Sequence, residues 1–236
     1  MSQRIIFIAH RGYSGKYLQN TEEAFLKAVE YGFGGIETDV RITKDGVLVV
    51  NHDDEAHYAD GTDMVIAEHT YEELISKPLA NPFTYTDLRV TTFRRYLEIC
   101  REGKQVCFIE FKGRFPDEKI VEAFEMAEEV YDLSMCSLQS FDFDNLLRAH
   151  KLFPKLGIML TCDVHDKIVD RCLAYGFDID MNYHGITDKT VQMFHERNLK
   201  VAVWTANTPE VLAHCVAKNV DYIESDVYSD TSVPEQ

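Results

Sequence analysis

The chain has 236 residues, with 40 acidic against 24 basic side chains and a formal net charge of −16. A surface of that average sign disfavours nucleic-acid binding, and an anionic small molecule is accommodated only where positive charge is concentrated locally. Hydrophobic residues make up 45% and charged residues 27%, which allows a sizeable core and excludes a disordered, collagen-like or low-complexity chain.

The opening MSQRIIFIAHRG holds a short apolar run from Ile5 to Ala9, too short for a signal-peptide core but suited to a buried strand. No stretch approaches the roughly 20 apolar residues of a membrane span. A soluble, cytoplasmic protein without membrane insertion is therefore expected. Asn20 is placed to cap a helix, with Glu23 three residues on as in a capping box. Ala24, Phe25, Ala28 and Val29 then recur at helical spacing, and Gly32 ends the helix. Strand-like segments follow in the order IETDV, VLVV, VCFIEF, SMCSLQ, LGIMLT, FDIDM, VAVWT and DYIES. Helical windows lie between most of them, at 92–100, 117–130, 142–150, 165–175, 188–197 and 209–217.

Strands separated by helices imply parallel βαβ units. With VLVV set aside, strands begin near Ile5, Gly35, Val106, Ser134, Leu156, Asp178, Lys200 and Asp221, the arithmetic of an α/β TIM (β/α)₈ barrel. VLVV follows the preceding strand after only Thr43-Lys44-Asp45-Gly46, so it returns as an antiparallel hairpin. That return carries Asn51, His52 and Asp53 towards the C-terminal mouth, where barrel active sites lie. Residues 54–90 break the rhythm, with Pro78, Pro82 and one short helical window at 71–75. The expectation is a single barrel domain over 1–236 with a small insertion, about 54–90, over the C-terminal mouth. Cys100, Cys107, Cys136, Cys162, Cys172 and Cys215 form no C-x-x-C pair and read as buried thiols in a reducing compartment.

Chemistry-bearing residues gather at strand ends. His10 and Arg11 follow the first strand, Glu37 and Asp39 share one face of the second, His52 follows the hairpin, and Glu110 and Lys112 share one face at the end of the third. Buried carboxylates are costly unless compensated. Either a hard divalent cation, Mg²⁺ or Ca²⁺, or an internal salt-bridge set with Arg11 or Lys112 would meet that cost. Two imidazoles at one mouth can serve as general acid and base. Arg11 and Lys112 are suitable donors to phosphoryl oxygens.

The stretches HRGYSGKYLQNTEEAF (10–25), IETDVRITKDGVLVVNHDD (36–54) and IEFKG (109–113), continued by SLQSFD (137–142) and VAVWTAN (201–207), resemble the glycerophosphodiester phosphodiesterases. These are TIM barrels related to the phosphatidylinositol phospholipases C. The resemblance implies His10 and His52 as the acid/base pair, Glu37, Asp39 and Glu110 as ligands for a divalent metal, and Arg11 and Lys112 as phosphate contacts. It implies hydrolysis of a small-molecule glycerophosphodiester to sn-glycerol 3-phosphate and an alcohol. Trp204, ending the seventh strand, is a candidate to stack on the alcohol or glycerol, and Gln139 and Asn182 are candidates for the glycerol hydroxyls.

Two departures stand out: Gln19 replaces the acidic residue of the family's P-E-N-T, and Glu224-Ser225-Asp226 differs from its usual close. Gln19 makes a non-catalytic phosphodiester-binding barrel an alternative. The other alternative, a phospholipase acting on lipid headgroups, finds no basic amphipathic segment here to approach an anionic bilayer.

Overall fold

The computed structural model describes residues 4–84, 87–163 and 166–232. From the N-terminus, β1 (Ile6–Ala9) leads through a rim loop to α1 (Glu22–Glu30) and β2 (Gly35–Ile42), which turns back as β3 (Leu48–Val50). The insertion contributes β4 (Glu55–His57), β5 (Asp63–Val65) and α2 (Tyr71–Leu74), and β6 (Thr91–Thr92) then enters α3 (Phe93–Gly103). Thereafter strand and helix alternate: β7 (Val106–Phe111), α4 (Asp117–Val130), β8 (Cys136–Ser140), α5 (Phe143–Leu152), β9 (Gly157–Cys162), α6 (Asp166–Tyr175), β10 (Asp178–Asn182), α7 (Asp188–His195), β11 (Val201–Trp204), α8 (Pro209–Ala217) and β12 (Tyr222–Ser225).

Eight strands pair in parallel in the order β1, β2, β7, β8, β9, β10, β11, β12, and β12 returns to β1 to close the ring. Closure leaves no free barrel edge, and strand alternation sorts the side chains into two sets. The outward set, including Ile36, Val40, Ile109, Leu138, Leu160, Ile179, Val203 and Ile223, is buried with the apolar residues of the helices. Inside, Ile8, Phe108, Met159 and Ala202 form an apolar plug, flanked by Ile6, Val106 and Tyr222. The next inward position on each strand, two residues nearer the mouth, is therefore where polar chemistry begins. Tyr96 of α3 ties this wall together, its hydroxyl donating to the carbonyls of Ile36 (2.7 Å) and Phe108 (3.3 Å).

As the short connection at 43–47 requires, β3 pairs antiparallel with β2, through Val40↔Val50, Arg41↔Val49 and Ile42↔Leu48. Gly46 takes φ +84° in the turn, a conformation L side chains rarely adopt. The insertion is more ordered than its irregular sequence implies. β4 and β5 form a hairpin, Thr70 and Glu73 build a capping box on α2, and Ala56, Tyr58, Ile66, Leu74, Leu79 and Val90 bury themselves against Val49 of β3.

Two boundaries differ from the sequence reading. The N-cap of α1 is Thr21, whose hydroxyl accepts from the Ala24 amide, and Asn20 stands outside the helix at φ +54°. Strand β8 starts at Cys136 because Leu133–Met135 form a 3-10 turn in which the Asp132 side chain accepts from the Ser134 amide. All six cysteines are buried free thiols. His165, the first residue of one expected helical window, lies outside the described residues.

Candidate active site

Alternation along β2 turns Glu37 and Asp39 inward, and register places Asp39 beside Glu110 of β7. One oxygen from each of Glu37, Asp39 and Glu110 lies within 4.8 Å of the others, the reach of a single cation. Asp39 is 1% exposed and held on both sides. Asn20 Nδ2 donates to its Oδ2 at 2.7 Å, while Lys112 Nζ lies 3.0 Å from its Oδ1 and 2.9 Å from Glu110 Oε1. Asn20, read from sequence as a helix cap, instead accepts from Thr38 Oγ1 and the Asp39 amide and fixes this carboxylate. The N-cap signal misled because Asn and Thr are adjacent and both are cap formers.

His10 follows β1 at the next inward position above Ile8. Its Nδ1 is 2.7 Å from Asp226 Oδ1, and Asp226 is itself held by Ser14 Oγ at 3.0 Å and Asn207 Nδ2 at 2.6 Å. A carboxylate accepts, so Nδ1 carries the proton and Nε2 is the free nitrogen. The chain then turns sharply. Arg11 adopts φ +57°, its amide donating to Glu37 Oε2 at 2.8 Å, and Gly12 adopts φ +78°, where a Cβ would meet Ala24 at 2.8 Å. Arg11 Nη1 donates to Gln19 Oε1 at 2.8 Å.

The β2–β3 hairpin delivers the second histidine. Asn51 donates its amide to the Asp39 carbonyl, and Arg41 clamps the carbonyls of Asn51 and His52 through Nε at 3.1 Å. His52 Nδ1 is 2.8 Å from Asp53 Oδ1, repeating the imidazole–carboxylate arrangement of His10. The two histidines border one acidic cluster: His10 groups with Glu37 and Glu224, and His52 lies within the electrostatic reach of Asp39.

Glu37, Asp39, Glu110, Asp180 and Glu224 thus face the interior, and Asp180 and Glu224 are additions to the set read from sequence. Both are almost fully buried. The alternating acids of FDIDM carry the same signal as IETDV and could have pointed to Asp180. Burial pushes Glu37, Asp180 and Glu224 well above the usual carboxylate range, and neighbouring carboxylates push further in the same direction. Glu110 is raised for the same two reasons. Asp39 goes the other way: burial opposes its charge, but Lys112, Arg11, His52 and Asn20 together outweigh it. Burial also opposes charge on Lys112, where Asp39 and Glu110 prevail and raise it. His52 is lowered, chiefly by burial, against the pull of Asp39.

The remaining predicted residues sit as follows. Gln139 is 1% exposed and donates to Glu224 Oε1 at 2.8 Å, so its amide is committed inside the barrel. Asn182 Oδ1 accepts from the amide of His184, capping a 3-10 turn. Trp204 is partly exposed, stands edge-on to Phe141 with centroids 6.2 Å apart, and its buried Nε1 has no hydrogen-bond partner among the described residues.

A cavity of about 270 Å³ opens beside His10, lined by Arg11, Ser14, Leu18, Gln19, Asp226 and Phe83 of the insertion. A larger groove, about 580 Å³, runs between α1 and residues 87–95. Its Lys27 pairs with Glu30 and its Arg95 with Glu22, and it holds none of the residues above, so size does not mark the site. The donor set of Glu37, Asp39 and Glu110 is three carboxyl groups offering only oxygen, which suits a hard divalent cation.

Fold and mouth together define a TIM barrel whose C-terminal rim gathers carboxylates, imidazoles and a guanidinium. Comparison with known proteins agrees. Residues 10–229 match the model of the glycerophosphoryl diester phosphodiesterase family, and the chain belongs to that family. It is 30% identical over 234 residues to a glycerophosphodiester phosphodiesterase of Bacillus altitudinis, covering 92% of this chain and 93% of that one. Among solved structures it resembles a glycerophosphodiester phosphodiesterase of Thermotoga maritima, at a TM-score of 0.77 and 28% identity over 96% of each chain. It also shares the fold of a phosphodiesterase of Oleispira antarctica, solved with the product sn-glycerol-3-phosphate, at a TM-score of 0.85 and 21% identity, covering 96% of this chain and 94% of that one.

Proposed function

We propose that the protein hydrolyses small glycerophosphodiesters, such as glycerophosphocholine or glycerophosphoethanolamine, to sn-glycerol 3-phosphate and the free alcohol, with Mg²⁺ or Ca²⁺ as cofactor. The observation that carries this reading is the convergence of three carboxylates, two carboxylate-held imidazoles and Arg11 on one barrel mouth. The family relationship and the product held by the Oleispira antarctica relative support it.

Glu37, Asp39 and Glu110 would hold the cation, which when bound supplies charge neutralisation for the phosphate and for the leaving oxygen. Arg11 binds and orients the phosphodiester through its guanidinium. Lys112 keeps Asp39 ionised and in place, and Asn20 fixes its other oxygen. His10 and His52 transfer protons at Nε2, because Asp226 and Asp53 hold the Nδ1 side of each ring. Burial lowers the pKa of His52 and so favours its neutral form, the form that accepts a proton. Trp204 and Phe141 offer an aromatic wall for an alkyl or glycerol face. No helix among the described residues is long and apolar enough to cross a membrane.

The test is turnover of glycerophosphocholine with added Mg²⁺ or Ca²⁺ and with EDTA. Activity is expected to require the cation, and His10→Ala and His52→Ala are each expected to lose at least about a hundredfold in rate. Full activity in EDTA would remove the metal from the reaction, and wild-type turnover in either mutant would remove that histidine. Binding of the diester without product under every metal would establish a non-catalytic barrel instead.

A further inference from the structure

Lys112 and Arg11 both stand at the mouth, and they are used differently. Lys112 Nζ is spent between Asp39 Oδ1 and Glu110 Oε1, at 3.0 and 2.9 Å. Arg11 is not neutralised to the same degree. Its Nε forms an ion pair with Asp39 Oδ2 at 3.4 Å, longer than either contact of Lys112 and without a hydrogen bond. Its Nη1 donates a hydrogen bond to Gln19 Oε1, at 2.8 Å.

The backbone places these two residues opposite each other. The Arg11 amide is pinned to Glu37 Oε2, and the Arg11 carbonyl accepts from Asn20, the residue next to Gln19. Arg11 and Gln19 then line the same cavity as His10. The acceptor chosen matters. An amide oxygen orients a guanidinium without carrying net charge, so the positive charge stays available to a phosphate. A carboxylate at the same place would form a shorter, charge-assisted and often two-pronged pair, taking up donors and cancelling the charge that the substrate meets.

We infer that Gln19 is a positioning residue that aims Arg11 at the phosphodiester without adding a second carboxylate to Asp39, with which its guanidinium already pairs, so that a glutamate at this position weakens phosphate binding. This is the opposite of what restoring the family's acidic residue would suggest. The inference rests on the proposed function only for its effect on turnover. Its effect on phosphate affinity stands apart from it.

The experiment measures the affinity of the full-length protein for inorganic phosphate by calorimetry, in EDTA and again with Mg²⁺, for wild type, Gln19→Glu and Gln19→Leu. Gln19→Glu is expected to weaken phosphate binding by about tenfold, the scale of one charge-assisted contact, and Gln19→Leu by about threefold. In glycerophosphocholine turnover the Gln19→Glu loss is expected mainly in KM, with kcat falling less. Unchanged melting temperatures separate these effects from misfolding, and if Gln19→Leu fails to fold, Gln19→Glu, which keeps side-chain size, carries the test. Equal or tighter phosphate binding by Gln19→Glu, with or without Mg²⁺, overturns the inference. The expected phosphate shifts without diester turnover in any form would sink the hydrolase reading and leave this one standing.

Discussion

Asn20 shows how much one side chain can decide. It is 3% exposed, adopts φ +54°, accepts from Thr38 and Asp39 through Oδ1, and donates to Asp39 through Nδ2. Asparagine tolerates the left-handed backbone better than most residues, and its amide offers both an acceptor and a donor there. Asn20→Asp keeps size and acceptors but sets a second anionic oxygen where the donor stood, 2.7 Å from Asp39 Oδ2. The expected result is a loss of roughly 2–4 kcal/mol in unfolding free energy near neutral pH, in the range for an uncompensated buried charge or donor. Urea denaturation checks it. A loss below about 0.5 kcal/mol, the range of an ordinary surface change, would mean that Asp39 does not depend on this tether.

At the scale of elements, most of the barrel was legible. Short apolar runs alternating with helical windows give the eight strands, and the short connection forces β3 to run antiparallel. What was not legible depended on contacts between distant segments. Nothing within residues 54–90 announces the pairing of β4 with β5, because three-residue strands have too few positions to show a period. The partners of the histidines were half visible. Asp53 is adjacent to His52, but Asp226 reaches His10 only once β12 closes against β1.

The β10–β11 join gives a prediction of its own. Asp178, at the barrel end away from the mouth, accepts from the Lys200 amide at 2.7 Å, and burial first, then Asp221, pushes it up to about 6. An acid whose folded pKa exceeds its unfolded value favours the folded state most below the unfolded value near 4. That advantage is lost as pH rises through about 6. Asp178→Asn keeps an acceptor for Lys200 and removes the titration. It should therefore be more stable than wild type at pH 7.5, by up to about 2–3 kcal/mol, with the gain shrinking towards pH 4. Denaturation of both proteins across this range decides, and a pH-independent difference would contradict the assignment.

Over the whole molecule, the formal charge of −16 matters most at the mouth, where Asp39 pairs with both Arg11 and Lys112, and Glu110 with Lys112. Charge repulsion over the general surface is screened by any salt. The cluster of Glu37, Asp39 and Glu110 is different, because it is buried and offers its oxygens within the span of one ion. If the native protein binds a divalent cation there and the unfolded chain does not, stability rises by RT ln(1 + [L]/Kd), about 2.7 kcal/mol at a hundredfold excess over Kd. For a chain of this size that amounts to roughly 5–10 °C in Tm. Mg²⁺ or Ca²⁺ is therefore expected to raise Tm well beyond NaCl at matched ionic strength, and Asp39→Asn to abolish the excess while leaving the NaCl response intact. Equal responses to divalent and monovalent salt would reduce the effect to surface screening and leave the three carboxylates as a salt-bridge set with Lys112 and Arg11.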